Sequence, residues 1–216
     1  MYPYQPEKKA YCFSQISHDT MTTALHTMNY TLKKYTHDIL PKAFLAEKLV
    51  LFSTDTVWSI GCLLDAEEAR HKLQQLAASS RESIPEILFA SVQQLKEYIP
   101  GLHPRLETLL HVHQRPLTLQ VPAPAAIPAS QDDMIAVRVV KDHYCGELLR
   151  TLDQPVYSIP AFTAEGTTAG HFGQVSSDIL SAVDYVDKFR QTDTSPQTLS
   201  VMAKLGPSEE LDFIRE

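Results

Sequence analysis

Residues 49–62 read Leu49-Val50-Leu51-Phe52-Ser53-Thr54-Asp55-Thr56-Val57-Trp58-Ser59-Ile60-Gly61-Cys62, and no other stretch says as much about the fold. The apolar run Leu49–Phe52 predicts a buried strand. It leads into a polar turn that carries Thr54, Asp55 and Thr56. Short hydroxyl and carboxylate side chains after a buried strand are typical of a small-molecule site. The same residues also suit a simple Ser/Thr or Asx turn, so the pattern alone leaves both interpretations open.

Segments with strand and helix patterns alternate on both sides of this stretch. Apolar residues at helical spacing predict helices at 41–48, 65–78, 92–98, 106–111, 143–152 and 176–183. Short apolar runs predict further strands at 87–90, 116–121, 135–140, 156–159, 185–186, 199–204 and 211–215. This alternation predicts an α/β domain in which helices form layers on a sheet.

We predict two parts, an N-terminal extension of residues 1–36 and a main domain of residues 37–216. The extension contains one amphipathic helix, because apolar residues recur at helical spacing at Met21, Leu25, Met28, Leu32 and Tyr35. That helix is expected to pack against the sheet or against a second subunit, so an oligomer stays open.

Bulk composition limits the class of protein. The 216 residues are 44% apolar and 21% charged, as in an ordinary globular protein, and no apolar run is long enough to span a membrane. The N-terminus lacks the apolar core of a signal peptide, so cytoplasmic residence is the expectation. Three widely spaced cysteines predict neither a disulfide framework nor a zinc site, and Cys62 is interpreted as a core residue. A net charge of −7 does not favour tight nucleic-acid binding, although weak RNA contact through a local basic patch stays open.

The turn at residues 53–61 resembles the entry motif of the YrdC-like family, Pro-Thr-Glu/Asp-Thr-Val/Ile-Tyr/Trp-Gly-Leu/Ile-Gly. Seven of its nine positions match; Ser53 replaces the proline and Ser59 replaces the first glycine. Later segments resemble the family's strands in the same order, so the resemblance covers the chain from about residue 40 to its end. It implies a twisted mixed β-sheet with flanking helices and a concave substrate cleft.

Members of that family make threonylcarbamoyl-adenylate from L-threonine, bicarbonate and ATP for the modification of tRNA. The resemblance implies that this chain is a nucleotidyltransferase that uses ATP with Mg²⁺. It also implies that Thr54, Asp55, Thr56 and Trp58 bind threonine. Because the carbamate nucleophile and the phosphates are all anionic, the reaction needs fixed cations beside them.

The sequence departs from the family at the phosphate end of the implied site. The family's Lys-x-Arg motif falls on Ala78 and Ser80, and only Arg81, one position away, retains a charge for the catalytic role. The Ser-Ala-Asn motif reads Pro160-Ala161-Phe162. The residues that the resemblance still assigns to the nucleotide are Ser158, Ala161, Arg138, Thr198 and Arg215.

Two hypotheses follow from this mixture of kept and lost residues. The first is a divergent threonylcarbamoyl-AMP synthase with ATP and L-threonine as ligands. The second is a non-catalytic YrdC-like paralogue that binds a nucleotide, an amino acid or RNA. The sequence predicts no metal site in the protein itself, since Mg²⁺ would be held largely by the phosphates of ATP.

Overall fold

The computed structural model describes residues 39–80, 83–125, 127 and 133–216. The amphipathic helix predicted after Thr20 and the candidate catalytic residue Arg81 lie outside the described residues. Both remain predictions, as does the division of the chain at residue 36.

The helices of the described residues are α1 (39–45), α2 (Glu67–Ala77), α3 (Val92–Tyr98), α4 (Pro104–Val112), α5 (His143–Leu152) and α6 (Ser177–Ala182). The strands are β1 (Val50–Ser53), β2 (Trp58–Leu63), β3 (Glu86–Phe89), β4 (Leu117–Pro122), β5 (Met134–Val139), β6 (Val156–Pro160), β7 (Tyr185–Val186), β8 (Val201–Leu205) and β9 (Leu211–Arg215). The predicted α/β alternation is confirmed, and most predicted elements are found within two residues of their expected bounds.

The nine strands of the described residues form one mixed sheet in the order β7-β1-β2-β6-β3-β5-β4-β8-β9. Three pairs are parallel, namely β1 with β7, β3 with β5, and β4 with β8. The remaining neighbours are antiparallel. Helices pack on this sheet, with α2 against β2 and β6, and with α3 and α5 against β3. The expected mixed sheet with flanking helices is therefore the fold of the described chain.

The strand after the polar turn, β2, is an element that the sequence analysis did not predict. It pairs antiparallel with β1, Ser53 opposite Trp58, so residues 54–57 are the loop of a hairpin. Its six residues are all buried, and β6 covers its other edge. The polar turn thus joins two buried neighbouring strands, which are the second and third strands from the β7 edge of the sheet.

In the part of the sheet formed by β3, β5 and β4, charged and hydroxyl side chains lie on one face, which we call the polar face. Phe89 of β3 packs edge-on against Tyr98 of α3, with ring centroids 5.6 Å apart. Because successive side chains point to opposite faces, Glu86 lies on the other side of the same strand. Arg138 of β5 and Thr118 of β4 both hydrogen-bond to Glu86, so they share its face. The candidate site is built on that polar face.

Candidate functional site

The hairpin turn at residues 54–57 is held together by the hydroxyl of Thr54. This hydroxyl donates to the carbonyl oxygen of Val57 at 2.7 Å and accepts from the backbone N–H of Thr56 at 3.2 Å. The Thr56 hydroxyl lies 3.0 Å away and is the donor in that pair, because the one Thr54 proton is already used. A hydroxyl has one donor and two acceptor sites. All three hydrogen-bonding sites of the Thr54 hydroxyl are therefore used within the turn, and these bonds hold its shape.

A small cavity lies beside this turn. Its lining includes Ser53, Thr56 and Trp58 from the hairpin, and Arg190, Asp193 and Gln197 from the chain after β7. Its volume is about 10 Å³, which is space for about one water molecule. Thr56 keeps its acceptor sites, because its proton goes to Thr54. The cavity therefore offers donors and acceptors, but an amino acid fits only if one wall moves.

Residues 187–197, which we call the covering segment, form that wall. Asp187 anchors it: its backbone N–H donates to the Leu51 carbonyl at 2.8 Å, and its carboxylate accepts from the Tyr144 hydroxyl at 2.7 Å. The ring of Phe189 stacks on Tyr144 with centroids 3.9 Å apart. These contacts fix the start of the segment to β1 and to helix α5.

Arg190 closes the covering segment over the turn. Its guanidinium pairs with Asp142 at 2.8 Å, lies over the ring of Phe189 and donates to the carbonyl oxygen of Thr54 at 3.3 Å. Its backbone has φ of 59°, a left-handed conformation that costs an arginine roughly 1–2 kcal/mol. The side-chain contacts compensate for this strain, so loss of Arg190 is expected to loosen the segment.

Asp187 gives the covering segment a pH dependence. Burial of this fully buried carboxyl raises its pKa, and the hydrogen bond from Tyr144 offsets only part of the effect. A raised pKa means that the native state keeps the proton to higher pH than the unfolded chain does. Its contribution to stability is therefore fully present below the ordinary pKa of 3.8 and is lost as pH rises through the native pKa.

We expect Asp187→Asn to remove the loss of stability that accompanies ionisation of Asp187. The free energy of unfolding of the wild type, measured by urea titration at a series of pH values, should fall relative to that of the variant as pH rises above the ordinary aspartate pKa. Asparagine keeps an acceptor for the backbone N–H of Phe189, so the local structure is retained. Parallel pH profiles of the two proteins would contradict the prediction.

Trp58 and Ala161 are buried at the base of the turn. The Trp58 indole is 3% exposed and packs on Phe172 with ring centroids 4.9 Å apart. The backbone carbonyl of Trp58 accepts from the N–H of Ala161 at 2.7 Å, and the carbonyl of Ala161 accepts from Ala169. Any contact between Ala161 and a ligand must therefore avoid these occupied backbone groups.

A buried ion-pair network extends from the turn across the polar face. Arg138, which is fully buried, pairs with Asp55 through one terminal nitrogen. Its other terminal nitrogen donates to Glu86 Oε1 at 2.6 Å, and its Nε donates to Glu86 Oε2 at 3.1 Å. The second Asp55 oxygen accepts from the backbone N–H of Lys141 at 2.9 Å. Both carboxylates and the guanidinium thus have their partners within the protein.

The network continues to the edge strand β9. The Thr118 hydroxyl donates to Glu86 Oε2 at 3.0 Å and lies 2.6 Å from the Ser200 hydroxyl. Arg215 donates to the carbonyl and the hydroxyl of Ser200 at 2.7 and 3.0 Å. We call the connected side chains of Asp55, Arg138, Glu86, Thr118, Ser200 and Arg215 the polar network. Its two guanidinium and two carboxylate groups give it a net charge of zero.

Electrostatic effects in the polar network follow from this arrangement. Burial disfavours the charged form of Arg138, but Glu86 and Asp55 outweigh burial and raise its pKa. Burial lowers the pKa of Arg215. The charge of Arg138 lowers it further, whereas the charge of Glu86 opposes the decrease. Lys141 is a further cation near the turn; its ammonium donates to the carbonyl of His113, and burial lowers its pKa. Each of these cations already has an acceptor or a counter-ion in the chain.

The structure places the remaining predicted site residues as follows. Thr54, Asp55 and Thr56 lie in the hairpin turn, and Trp58 begins β2 directly after it. The ion pair between Asp55 and Arg138 connects this hairpin to β5, so the five residues form one group. Ser158 is fully buried, and its hydroxyl lies 3.5 Å from the carbonyl oxygen of Glu86. Thr198 is exposed on the loop before β8. The ligand contacts assigned to all of these residues remain predictions.

Sequence reasoning missed three residues that shape this region, Glu86, Ser200 and Arg190. The sequence did contain a signal for Glu86. This residue directly precedes the apolar run of one predicted buried strand, and Arg138, of opposite charge, lies within another. Charges inside two buried strands predict a buried pair. Arg190 lies in a polar loop and offered no comparable signal.

The residues that the structure describes contain no group of three or more His, Cys, Asp or Glu side chains placed to hold a metal ion. In the same residues, every helix is too short or too polar to cross a membrane. Cys62 is fully buried, and burial raises its pKa to about 12, which agrees with its interpretation as a core residue.

In the described residues, a mixed sheet of nine strands carries a hydroxyl-rich turn between β1 and β2 that leads into the polar network, and this defines an α/β protein with a candidate ligand site. The Sua5/YciO/YrdC family model, described as "Telomere recombination", matches residues 42–214. The chain therefore belongs to the Sua5/YciO/YrdC family, as the resemblance at the Thr54 turn predicted.

Relatives with curated names are similar over part of their length. A threonylcarbamoyl-AMP synthase of Escherichia coli O1:K1 is 28% identical over 121 residues, 53% of this chain and 64% of that protein. The matched region thus spans less than two thirds of the curated relative.

Solved structures share the fold at low identity. Escherichia coli YciO has a TM-score of 0.68 at 14% identity, covering 85% of this chain and 89% of YciO. Sua5 of P. abyssi in complex with L-threonine has a TM-score of 0.64 at 19% identity, and the match covers 79% of this chain and 51% of that Sua5 chain.

Proposed function

We propose that this chain is a ligand-binding member of its family that has kept the amino-acid end of the site but does not synthesise threonylcarbamoyl-adenylate. The observation that supports this proposal is the neutral polar network. Arg138 is enclosed between Asp55 and Glu86, and Arg215 donates to Ser200. The curated synthases and the threonine-bound Sua5 supply the ligand class, and the geometry argues against the reaction.

The reaction of a synthase sets a demand that the neutral polar network of the described residues does not meet. A carbamate oxygen must attack the α-phosphorus of ATP while pyrophosphate leaves, and negative charge on both groups must be compensated by fixed cations and Mg²⁺. Charge-assisted contacts contribute roughly 1.5–3 kcal/mol each. A site lacking two of them loses about 3–6 kcal/mol, which corresponds to a rate lower by about two to four orders of magnitude.

The cavity beside Thr56 supports an amino acid as the ligand. Arg190 offers N–H donors for a carboxylate, and Thr56 and Asp193 offer acceptors for an ammonium group. These are the groups that recognise a zwitterion. Since the cavity is small, binding requires the covering segment to move outward, and binding should be slow or weak in the wild type.

The decisive experiment measures pyrophosphate release with L-threonine, bicarbonate, ATP and Mg²⁺. We expect no threonine-dependent release above background at enzyme concentrations where a synthase of the family, assayed in parallel, is readily detected. Calorimetry with L-threonine alone should show binding that Asp193→Asn weakens, while Asp153→Asn, at a surface turn after α5, leaves it unchanged. Release of pyrophosphate that depends on both threonine and bicarbonate would overturn the proposal.

A second candidate, a working synthase, is favoured by one observation. The guanidinium of Arg215 is only half-buried, and its Nε and one terminal nitrogen donate to Ser200. A guanidinium has five N–H donors, so the other terminal nitrogen can serve a phosphate. The pyrophosphate assay separates the two candidates, and Arg215→Lys would abolish release if Arg215 acts on the nucleotide.

A further inference from the structure

We propose that Glu86 determines the charge of the ligand that this site accepts: it keeps the polar network neutral, and without it the network becomes an anion-binding site at Arg215. The inference rests on the proposed function, because it explains why the chain excludes a nucleotide. It assigns the wild-type site to ligands with a neutral or zwitterionic group rather than to phosphates.

Glu86 is placed to neutralise the network. It is 6% exposed at the start of β3, and both of its carboxylate oxygens are engaged. Oε1 accepts from Arg138 at 2.6 Å, while Oε2 accepts from Arg138 at 3.1 Å and from Thr118 at 3.0 Å. This is a two-point pairing of the kind that an anionic ligand would make with a guanidinium. Glu86 therefore occupies, with the protein's own carboxylate, the place of an anion.

The charge balance shows what its loss would do. Glu86→Gln changes the network from two cations and two anions to two cations and Asp55 alone, a net charge of +1. Glutamine has one acceptor oxygen in place of two. It can still accept from Thr118, but part of the donor set of Arg138 is then left without an acceptor. Both changes favour the entry of an anion.

Arg215 is the point at which such an anion would enter. It is half-buried, and it connects to Glu86 through the Ser200 and Thr118 hydroxyls at steps of 3.0, 2.6 and 3.0 Å. Glu86 favours the charged form of Arg215, and Arg138 opposes it. Removing Glu86 leaves only Asp55 to offset the repulsion between the two guanidinium groups, and a bound phosphate would relieve it.

The test compares the melting temperature of the wild type and Glu86→Gln as a function of inorganic phosphate at constant ionic strength. A ligand that binds only the folded state raises the melting temperature with its concentration. We expect Glu86→Gln to melt lower than the wild type without phosphate and to be stabilised saturably by it, with affinity at least 10-fold tighter than that of the wild type. An equal phosphate response of both proteins would overturn the inference.

Two further variants separate charge from packing. Glu107→Gln removes a carboxylate of α4 that pairs with Lys96 of α3 at 2.8 Å, outside the polar network, and should respond to phosphate as the wild type does. Thr118→Val breaks the hydrogen-bonded path without changing charge, so it should gain no phosphate binding. A phosphate response in Thr118→Val as large as in Glu86→Gln would refute the charge argument.

Folding failure of Glu86→Gln is also informative. If the variant is unfolded in phosphate-free buffer, it is titrated with phosphate and its folding is followed by circular dichroism. Recovery of the folded state supports the inference, and failure to fold at any phosphate concentration counts against it. Pyrophosphate release by the wild type would overturn the proposed function, whereas the phosphate response of Glu86→Gln is read without any turnover, so the two failures are distinguishable.

Discussion

Replacing Arg138 with methionine is expected to lower the free energy of unfolding by about 3–5 kcal/mol. The guanidinium is the shared partner of Asp55 and Glu86, and its side chain is fully buried. Methionine fills much of the same space but leaves two carboxylates in the interior without a counter-ion. Urea unfolding at neutral pH measures the loss directly.

An exposed ion pair supplies the control for Arg138. Lys96 and Glu107 pair at 2.8 Å with side chains 44% and 30% exposed, so Lys96→Met should cost less than about 1 kcal/mol. Combining Arg138→Met with Glu86→Leu should recover part of the loss, because the second change removes one uncompensated buried charge. A cost for Arg138→Met no larger than that for Lys96→Met would show that the buried pairs add nothing to stability.

The sequence predicted the fold well where periodicity and local signals agree. Helices α3 and α5 were predicted with their observed bounds from apolar residues at helical spacing, and the structure shows that Ser91 and Asp142 cap them. Strand β2 was missed, since the run after Trp58 mixes Ser59, Gly61 and Cys62 with apolar residues and is buried on both faces. Such a strand has no alternating pattern to detect.

The candidate site was predictable only in part, because its partners are distant in sequence. The Thr54 turn is a local motif, and its residues were identified together. Arg138 and Glu86 are 52 positions apart, and they meet because β3 and β5 pair in parallel, which no local pattern encodes. The same holds for Arg190, which reaches Thr54 across 136 positions. The sequence showed the departure from the family's Lys-x-Arg motif, but it did not indicate that Glu86 pairs with Arg138.

The second large effect is expected at Gly61, the last glycine of the family motif. A Cβ built there would lie 2.9 Å from the Phe52 ring, 2.9 Å from a methyl group of Val156 and 3.1 Å from the carbonyl oxygen of Tyr157. Gly61→Ala should therefore destabilise the protein by about 1–3 kcal/mol through overpacking, although alanine is otherwise preferred to glycine in a strand. Urea unfolding measures the change in the free energy of unfolding.

Gly101 provides the matched control for this substitution. No heavy atom lies within 4 Å of a Cβ built at Gly101, and its φ is not in the left-handed region. Gly101→Ala should thus leave stability within about 0.5 kcal/mol or raise it slightly, because the unfolded chain loses freedom. If both variants behaved alike, close packing of β2 between its neighbours would not be the reason for the glycine. A selective loss at Gly61 would mean that this motif position serves the packing of β2 against Phe52 and Val156.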